Sequence, residues 1–342
     1  MLGRRPTRYA EHSDADQMES QMSTRVVALT DTVFPNLEPA RTALSKADAE
    51  LRIAEEPTPE AILDVARDAD GMLVTYAKIT PEIIDGLERC KVIGRFGIGI
   101  DNIDIPAATD AGITVTYAPV YCLDEVSDHA MALLLTLARK TAFANSRVHS
   151  GTWKMPEVVP IHRLRGRTLG LVGIGNIPQR IVPKAQAFGI EVIATDPYAP
   201  DEVFERLGVR KVSFDELLAE SHYISIHAPL TDETRNMFGA DAFAAMRNDA
   251  LLVNTARGPL VDVDALADAL EAGEISGAGL DVMPEEPPPS DSRLLGRDDV
   301  ILTPHTGFYS EDALLDLQTT VASDVAAVLT GADPKYPVTP RG

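Results

Sequence analysis

Cysteine is scarce in this sequence, and no long apolar run occurs in it. The two cysteines, Cys90 and Cys122, are too few for a disulfide framework, so a disulfide-stapled secreted module is excluded and a reducing compartment, the cytoplasm, is expected. No stretch approaches the roughly 20 apolar residues of a membrane helix, and no apolar segment follows the basic N-terminus as in a signal peptide. No histidine and cysteine pattern predicts a metal site. We therefore expect a globular protein with no metal and no membrane partner.

Basic residues are few relative to acidic ones. The chain has 31 lysines and arginines against 52 aspartates and glutamates, a formal net charge of -21. Such a charge repels phosphate backbones and anionic lipid surfaces, so nucleic acid is excluded as a partner. The acidity fits adaptation to salt or plain solubility, and we favour solubility. A small anionic ligand would need a local cluster of positive donors.

The first 22 residues differ from the rest of the chain. They are polar, charged and aperiodic, which predicts a disordered tail, and Met22 is an alternative start. Beyond them the length suffices for two domains. From residue 25 onward short apolar runs alternate with helical patterns, and this alternation predicts a parallel sheet covered by helices. The runs are 26–29, 51–54, 71–74, 92–95 and 114–117.

A second alternating series follows a long helical pattern at 124–149, which we expect to cross between two domains. Its six apolar runs match a complete doubly wound nucleotide-binding sheet. They are 168–172, 191–194, 223–226, 250–253, 277–280 and 300–302. A last helical pattern at 311–329 is expected to return and cover the first sheet. The predicted fold class is α/β, with two doubly wound parallel-sheet domains.

A glycine turn opens the second series. Gly173 and Gly175 follow the run 168–172 and precede a helical pattern. The first glycine permits a tight turn, the second lets a pyrophosphate approach the backbone, and the helix start offers amides and a positive dipole end. Asp196 ends the next strand, where a carboxylate accepts hydrogen bonds from ribose hydroxyls and repels a 2′-phosphate, so NAD is predicted over NADP. The predicted contacts are Gly173, Ile174, Gly175, Asn176, Ile177 and Asp196.

The third position of the glycine pattern holds Pro178 instead of glycine. Proline is tolerated in the first turn of a helix, because its missing amide hydrogen costs little there. Close packing of the helix on the strand should suffer, however. We therefore expect a slightly opened turn with altered affinity for NAD.

Three further segments place polar residues directly after apolar runs of the second series. They are 254–258 (NTARG), 281–287 (DVMPEEP) and 303–307 (TPHTG). Because the carboxyl ends of parallel strands form one edge, Arg257, Glu286 and His305 should converge. A histidine moves protons near neutral pH, a carboxylate beside it favours its protonated form, and an arginine binds a carboxylate and polarises a carbonyl. The set fits the interconversion of a 2-hydroxy acid and its 2-keto acid, with Glu285 as an alternative to Glu286.

On these segments the sequence resembles the D-isomer-specific 2-hydroxyacid dehydrogenase family. The resemblance runs from about residue 26 to 329 and includes 95–104 (RFGIGIDNID), 196–198 (DPY) and 227–231 (HAPLT). It implies a flavodoxin-like substrate domain of residues 23–121 plus 307–342 and a Rossmann NAD-binding domain of residues 122–306. It also implies a homodimer formed through the NAD-binding domains. The implied activity is NAD-dependent interconversion of a small anionic D-2-hydroxy acid and its 2-keto acid.

The same resemblance assigns roles to individual residues. Arg257 would anchor the substrate, and His305 with Glu286 would form the acid–base pair. Asp281 would meet the nicotinamide carboxamide. The remaining implied cofactor contacts are His227, Ala228, Pro229, Thr234, Thr255 and Ala256. The resemblance also implies that the loop of Gly97, Ile98 and Gly99 offers amides to the substrate carboxylate. The candidate pocket residues are Tyr76, Lys78, Arg95, Cys122 and Phe308.

The substrate side chain stays open at this point. Tyr76 and Phe308 favour apolar character. Phosphoglycerate is disfavoured, because no regulatory extension follows Arg341 and Val74 stands where phosphoglycerate-oxidising relatives usually carry arginine. Glyoxylate, hydroxypyruvate and longer 2-keto acids are all compatible with the sequence.

Two other functions compete with the dehydrogenase. Within the family, residues 101–108 (DNIDIPAA) and 309–311 (YSE) are most similar to C-terminal-binding proteins, although Phe308 stands where those proteins tend to carry tryptophan. A dimeric NAD-sensing binding protein is therefore one alternative. A phosphite-type dehydrogenase is the other, since related folds oxidise that anion.

Overall fold

The structure, a computed structural model, describes residues 24–339. Within that range the chain builds two parallel sheets, each with an apolar core on both faces. The tail predicted for residues 1–22 and the chain end at Arg341 lie outside the described residues. None of the helices between residues 24 and 339 is long and apolar enough to cross a membrane.

The first sheet has five strands. They are β1 (Arg25–Leu29), β2 (Ala49–Ile53), β3 (Gly71–Val74), β4 (Val92–Arg95) and β5 (Thr114–Thr116), and the intervening helices are α1 (Glu38–Leu44), α2 (Pro59–Ala66), α3 (Pro81–Asp85) and α4 (Ile105–Asp110). The parallel strands lie in the order β2-β1-β3-β4-β5, which is the flavodoxin-like order predicted. Strands β1 and β3 are almost fully buried, because helices cover both faces of the sheet.

The second sheet has seven parallel strands. Its elements are α5 (Leu123–Arg139), α6 (Thr141–His149), β6 (Thr168–Val172), α7 (Asn176–Ala187), β7 (Glu191–Thr195), α8 (Asp201–Leu207), β8 (Arg210–Lys211), α9 (Phe214–Glu220), β9 (Tyr223–Ile226), α10 (Ala240–Ala245), β10 (Leu251–Asn254), α11 (Val263–Ala272), β11 (Gly277–Leu280) and β12 (Val300–Leu302). One more helix, α12 (Glu311–Leu329), follows β12. The strand order is β12-β11-β10-β9-β6-β7-β8. The order reverses at β6, as it does in doubly wound dinucleotide-binding sheets.

Helix α5 covers the second sheet, and helix α12 covers the first. In α5, Leu133 and Leu137 pack on Gly277 and Gly279 of β11, so this helix belongs to the second sheet. In α12, Val321 and Val325 pack on Gly94 of β4, where a Cβ would lie 2.7 Å from each of them. The last helix therefore returns to the first sheet, as its pattern predicts.

Three details of the predicted elements are wrong. Residues 124–149 form two helices rather than one, because the chain turns at Lys140 (φ 51°) and α6 buries no residue that would hold it in line with α5. Helix α5 does not cross between the sheets, and residues 117–122 make that crossing. The two-residue edge strand β8 escaped notice because Arg210 and Lys211 are exposed and form no apolar run.

Candidate active site

The cofactor half of the site begins at the glycine turn between β6 and α7. Gly173 adopts φ 97°, and a Cβ there would lie 3.0 Å from the backbone oxygen of His227, which follows the neighbouring strand β9. A Cβ at Gly175 would face open space. The turn thus sits at the point where the strand order reverses, with room for a phosphate group over the start of α7. These positions fit NAD.

Asp196, at the end of β7, has a second task that the sequence did not predict. Its Oδ2 accepts a hydrogen bond from the Ile174 amide (3.0 Å), and its Oδ1 accepts from the amides of Tyr198 (3.0 Å) and Ala199 (3.1 Å). A carboxylate has further lone pairs for ribose hydroxyls. The same side chain therefore shapes the glycine turn and stands ready for the ribose.

Pro178 lies buried in the first turn of α7. The turn stays tight beside it, with the Ile174 amide held by Asp196 and Gly173 against His227. The slight opening of the turn expected from this proline stays a prediction. An effect on NAD affinity stays a prediction.

The loops after β9 and β10 form the other wall of the cofactor cleft. The Thr234 hydroxyl donates to the backbone oxygen of Pro229 (2.7 Å) and closes the turn that directly follows Ala228. Burial lowers the pKa of His227 to about 3, so its ring is neutral and bonded to the Ser225 hydroxyl (2.8 Å). The hydroxyl of Thr255 is buried and has no partner in residues 24–339. A buried unpartnered hydroxyl beside the cleft fits a cofactor contact.

His305 and Glu286 form the predicted pair at the ends of β12 and β11. His305 Nδ1 lies 2.8 Å from Glu286 Oε2, and Glu286 Oε1 accepts from the Met283 amide (3.0 Å). Burial acts to raise the pKa of Glu286, but the hydrogen bond and charge of His305 and the Met283 amide outweigh it and hold that pKa below its ordinary value. Glu285 makes no such contact, so Glu286 is the partner. His305 Nε2 is left to face a substrate.

The backbone of His305 lies in the left-handed region (φ 52°), where a residue other than glycine is strained. Asp281 holds it there. Its Oδ1 accepts from the Thr303 hydroxyl (2.6 Å) and the Thr306 amide (2.9 Å), and its Oδ2 accepts from the Gly307 amide (2.8 Å). Burial acts to raise the pKa of Asp281, but these donors and His129 keep it lowered. Asp281 therefore builds the loop that presents His305.

Arg257 is positioned from both sheets. The buried Asn254 side chain caps its turn, donating to the Arg257 backbone oxygen (2.8 Å) and accepting from the Ala256 amide (3.0 Å). From the first sheet, Asp101 Oδ1 accepts from Arg257 Nε (3.0 Å). Burial acts to raise the pKa of Asp101, but the charge and hydrogen bond of Arg257 lower it. A Cβ at Gly99 would overlap this guanidinium, so the glycine loop must stay bare for the arginine to fit.

The first sheet contributes a second arginine and a group of aromatic rings. Arg95 is half-buried at the end of β4, donates to the Phe96 backbone oxygen (2.7 Å), and has a buried Nε without a partner in the described chain. Burial and the charge of Arg257 lower the pKa of Arg95. Tyr76 and Phe308 face His305, with ring centroids 5.6 Å and 6.2 Å from the imidazole.

Lys78 and Val74 were both used in the prediction of the substrate. Lys78 is exposed and makes no ion pair with another residue of the range 24–339, and its place in the substrate pocket stays a prediction. Val74 is fully buried inside β3, so its identity carries no information about the substrate. Val74 therefore gives no support to the case against phosphoglycerate, which stays an untested prediction. The loop that follows, held by Asp31 through the amides of Thr75 (3.1 Å) and Tyr76 (2.6 Å), reaches the cleft instead.

Family comparison agrees with this geometry. Residues 131–307 match the model of the NAD binding domain of D-isomer specific 2-hydroxyacid dehydrogenases. The chain belongs to the D-isomer-specific 2-hydroxyacid dehydrogenase family. The predictions of the family, of the two-sheet α/β fold class and of NAD as cofactor are thereby confirmed.

Individual relatives differ in their substrates. A glyoxylate reductase from Thermococcus litoralis is 38% identical over 81% of this chain and 86% of its own, and a D-3-phosphoglycerate dehydrogenase from Methanocaldococcus jannaschii is 42% identical over 82% of this chain. The chain spans 54% of that second relative's length, about half, as with the other phosphoglycerate dehydrogenases it matches. A D-lactate dehydrogenase from Aquifex aeolicus, solved with NAD and lactic acid, superposes with a TM-score of 0.83, at 30% identity, over 90% of this chain and 96% of that one.

These relatives are all oxidoreductases of 2-hydroxy or 2-keto acids by name. They favour neither the NAD-sensing binding protein nor the phosphite-type dehydrogenase. Within residues 24–339, no three His, Cys, Asp or Glu side chains are grouped as metal ligands would be.

Proposed function

We propose that this protein interconverts a small D-2-hydroxy acid and its 2-keto acid with NAD(H). The observation that carries the proposal is the His305–Glu286 pair (2.8 Å) beside Arg257 at the carboxyl edge of an NAD-binding sheet. NAD supplies or takes the hydride when bound. We infer further that residues 23–121 plus 307–342 form the substrate domain and residues 122–306 the NAD-binding domain, with the site in the cleft between them.

The protein's own residues handle the proton and the charge. In keto-acid reduction, His305 Nε2 gives its proton to the C2 oxygen as the hydride arrives, and in oxidation the ring takes the proton back. Glu286, charged because its pKa is lowered, stabilises the protonated ring and fixes its orientation. Arg257 has its Nε on Asp101, its Nη1 on the Ala256 backbone oxygen (2.8 Å) and its Nη2 against Gly99. Its remaining N–H groups bind the substrate carboxylate beside the amides of residues 97–99.

Arg95 narrows the substrate class. It adds a second positive charge next to Arg257, yet no ion pair within the described residues neutralises it. A half-buried guanidinium whose buried Nε has no partner favours a bound anion or oxygen-rich group. We infer that the substrate carries a short polar or acidic substituent at C3, as hydroxypyruvate and its phosphate ester do, between Arg95 and the rings of Tyr76 and Phe308.

The proposal is tested by mixing the purified protein with NADH and a panel of 2-keto acids. The panel holds glyoxylate, pyruvate, hydroxypyruvate, phosphohydroxypyruvate and 2-ketoglutarate, with absorbance at 340 nm as the readout. We expect oxidation of NADH, fastest with a substrate that is polar or acidic beyond C2. No loss of absorbance with any member would contradict the dehydrogenase function. Phosphite with NAD serves as the control for the alternative reaction.

The rate of reduction should depend on pH in one direction. His305 must carry a proton, so reduction should slow as pH rises from about 6 to about 10, and oxidation should accelerate. Because the pKa of Glu286 is lowered, its carboxylate is charged and stabilises the protonated His305 ring at every pH above the ordinary carboxyl range. This stabilisation is lost only as pH falls through the lowered pKa. No acid limb should therefore appear above about pH 5. A reduction rate that does not change between about pH 6 and about pH 10 would contradict His305 as the acid.

We propose that the protein acts as a homodimer through its NAD-binding domains, in the cytoplasm. The linker between α6 and β6 exposes Trp153 (86%), Met155 (72%) and Val159 (55%), which is unusual for apolar side chains so close together. Beside it lies a cavity of about 720 Å³, which includes Leu137, Phe143, Leu251 and Ile301 in its wall. A second copy supplies both a cover for the exposed side chains and, by two-fold symmetry, an occupant for the cavity.

Replacing Trp153 with glutamate should convert the dimer to a monomer. Burying an unpaired carboxylate at the centre of an apolar contact is more unfavourable than the contact is favourable. Light scattering after size exclusion gives the mass of the particle. The matched control is Tyr198→Glu, since Tyr198 is as exposed (85%) but lies apart from the linker. A parent protein of about 37 kDa in solution would contradict the dimer outright.

A further inference from the structure

His129 is a histidine of α5 that the reaction scheme above does not use. Its Nε2 lies 2.9 Å from the Thr303 hydroxyl oxygen and 3.3 Å from Asp281 Oδ1. The Thr303 hydroxyl gives its only hydrogen to Asp281 (2.6 Å), so toward His129 it can only accept. His129 Nε2 therefore carries a hydrogen and donates it to this pair.

The pair that His129 contacts supports the catalytic loop. Asp281 accepts from the amides of Thr306 and Gly307, and its backbone oxygen accepts from the His305 amide (2.9 Å). Gly307 is packed so closely that a Cβ there would lie 2.8 Å from Asp281 Oδ2 and 3.4 Å from the His129 ring. The strained backbone of His305 is thus held between β11 on one side and α5 on the other.

Helix α5 makes a second contact with the same part of the chain. The Ser310 hydroxyl, which caps α12, donates to Glu125 Oε1 (2.8 Å), one helical turn before His129. Residues 303–310 form the return crossing to the first sheet, and α5 starts at the end of the outward crossing. The His129 and Glu125 contacts therefore tie the two crossings together beside His305.

We propose that His129 is a positioning residue for His305. Its Nε2 hydrogen fixes the Thr303–Asp281 pair, and that pair fixes the loop that aims the imidazole at the substrate. Arg257 and the glycine loop, which bind the substrate carboxylate, have no contact with this chain of hydrogen bonds. The proposal rests on His305 as the acid–base group of the proposed function.

The test compares His129→Ala with His129→Gln, whose amide keeps an N–H donor at similar reach, and with His149→Ala, an exposed histidine of α6. We expect His129→Ala to lower kcat about tenfold while KM for the keto acid changes less than about twofold, and His129→Gln to recover most of the loss. His149→Ala should behave like the parent. An unchanged kcat in His129→Ala, or equal losses in the alanine and glutamine variants, would overturn the proposal.

A readout without turnover separates this proposal from the proposed function. The chain has seven histidines, so the ring signals of histidine-labelled protein are few, and His305→Ala assigns the one that belongs to His305. His129→Ala should shift that signal, and His149→Ala should leave it in place. If no keto acid is reduced yet the signal shifts, the proposed function fails while the positioning role stands. An unshifted signal would overturn the positioning role whether or not the protein is active.

Discussion

Replacing His305 with alanine will lower kcat for keto-acid reduction by roughly a thousandfold, which is the middle of the range for losing a general acid. Tyr76, whose ring faces the imidazole, is a poor replacement, because desolvation raises the pKa of its hydroxyl and makes it a weaker acid. NADH binding, followed by quenching of nucleotide fluorescence, should be unchanged, since the glycine turn and Asp196 lie on other strands.

Glu286→Gln separates the charge of that carboxylate from its shape. The amide keeps a hydrogen-bond acceptor for His305 and loses the charge that stabilises the protonated ring, so a loss of about ten- to a hundredfold is expected. Glu285→Gln is the matched control, being the exposed neighbour without a contact to the ring.

For His305→Ala, a variant that keeps more than a tenth of the parent rate would show that this histidine is not the general acid.

Replacing Arg257 with glutamine will lower kcat/KM by about a hundred- to a thousandfold, the usual cost of losing a charged donor at a reacting oxygen. The loss should be divided between KM and kcat, because the guanidinium binds the carboxylate and polarises the carbonyl. Arg257→Lys should recover only part of the activity, since an ammonium cannot contact Asp101 and the substrate in one plane.

The control for Arg257 is Arg67→Gln, which removes an exposed guanidinium that has no ion pair in the described part of the chain. Charge alone is thereby separated from position. If both variants keep the parent kcat/KM, the substrate carboxylate binds elsewhere, and Arg95 becomes the anchor to test next.

The fold and the main pair of the site were predictable because they depend on local pattern. Apolar runs alternating with helical ones give parallel strands, and polar residues directly after such runs must share an edge. The sequence favoured Glu286 but left Glu285 open, because the direction of each side chain depends on the path of the loop after β11. The break at Lys140 was hidden for a similar reason, since apolar spacing reports burial and not a backbone turn.

The supporting residues could not be read from spacing. Asp101 and Arg257 are 156 positions apart, and His129 and Thr303 are 174 apart, so only the packed structure brings them together. For Asp281 the sequence offered one signal, its place directly after the apolar run 277–280. The structure buries this side chain almost fully. Buried carboxylates need several donors, and the structure supplies them from the loop that contains His305.

The contact between Asp101 and Arg257 has a consequence for exchanging parts among relatives. Arg257 follows a strand of the second sheet, and Asp101, which orients it, follows a strand of the first. A chimera that carries a relative's first 121 residues on this NAD-binding unit will have that relative's preference for the side chain of the substrate. It will work only if the donor also brings an acidic side chain at the position of Asp101, so the two halves are exchangeable as matched sets rather than as independent modules.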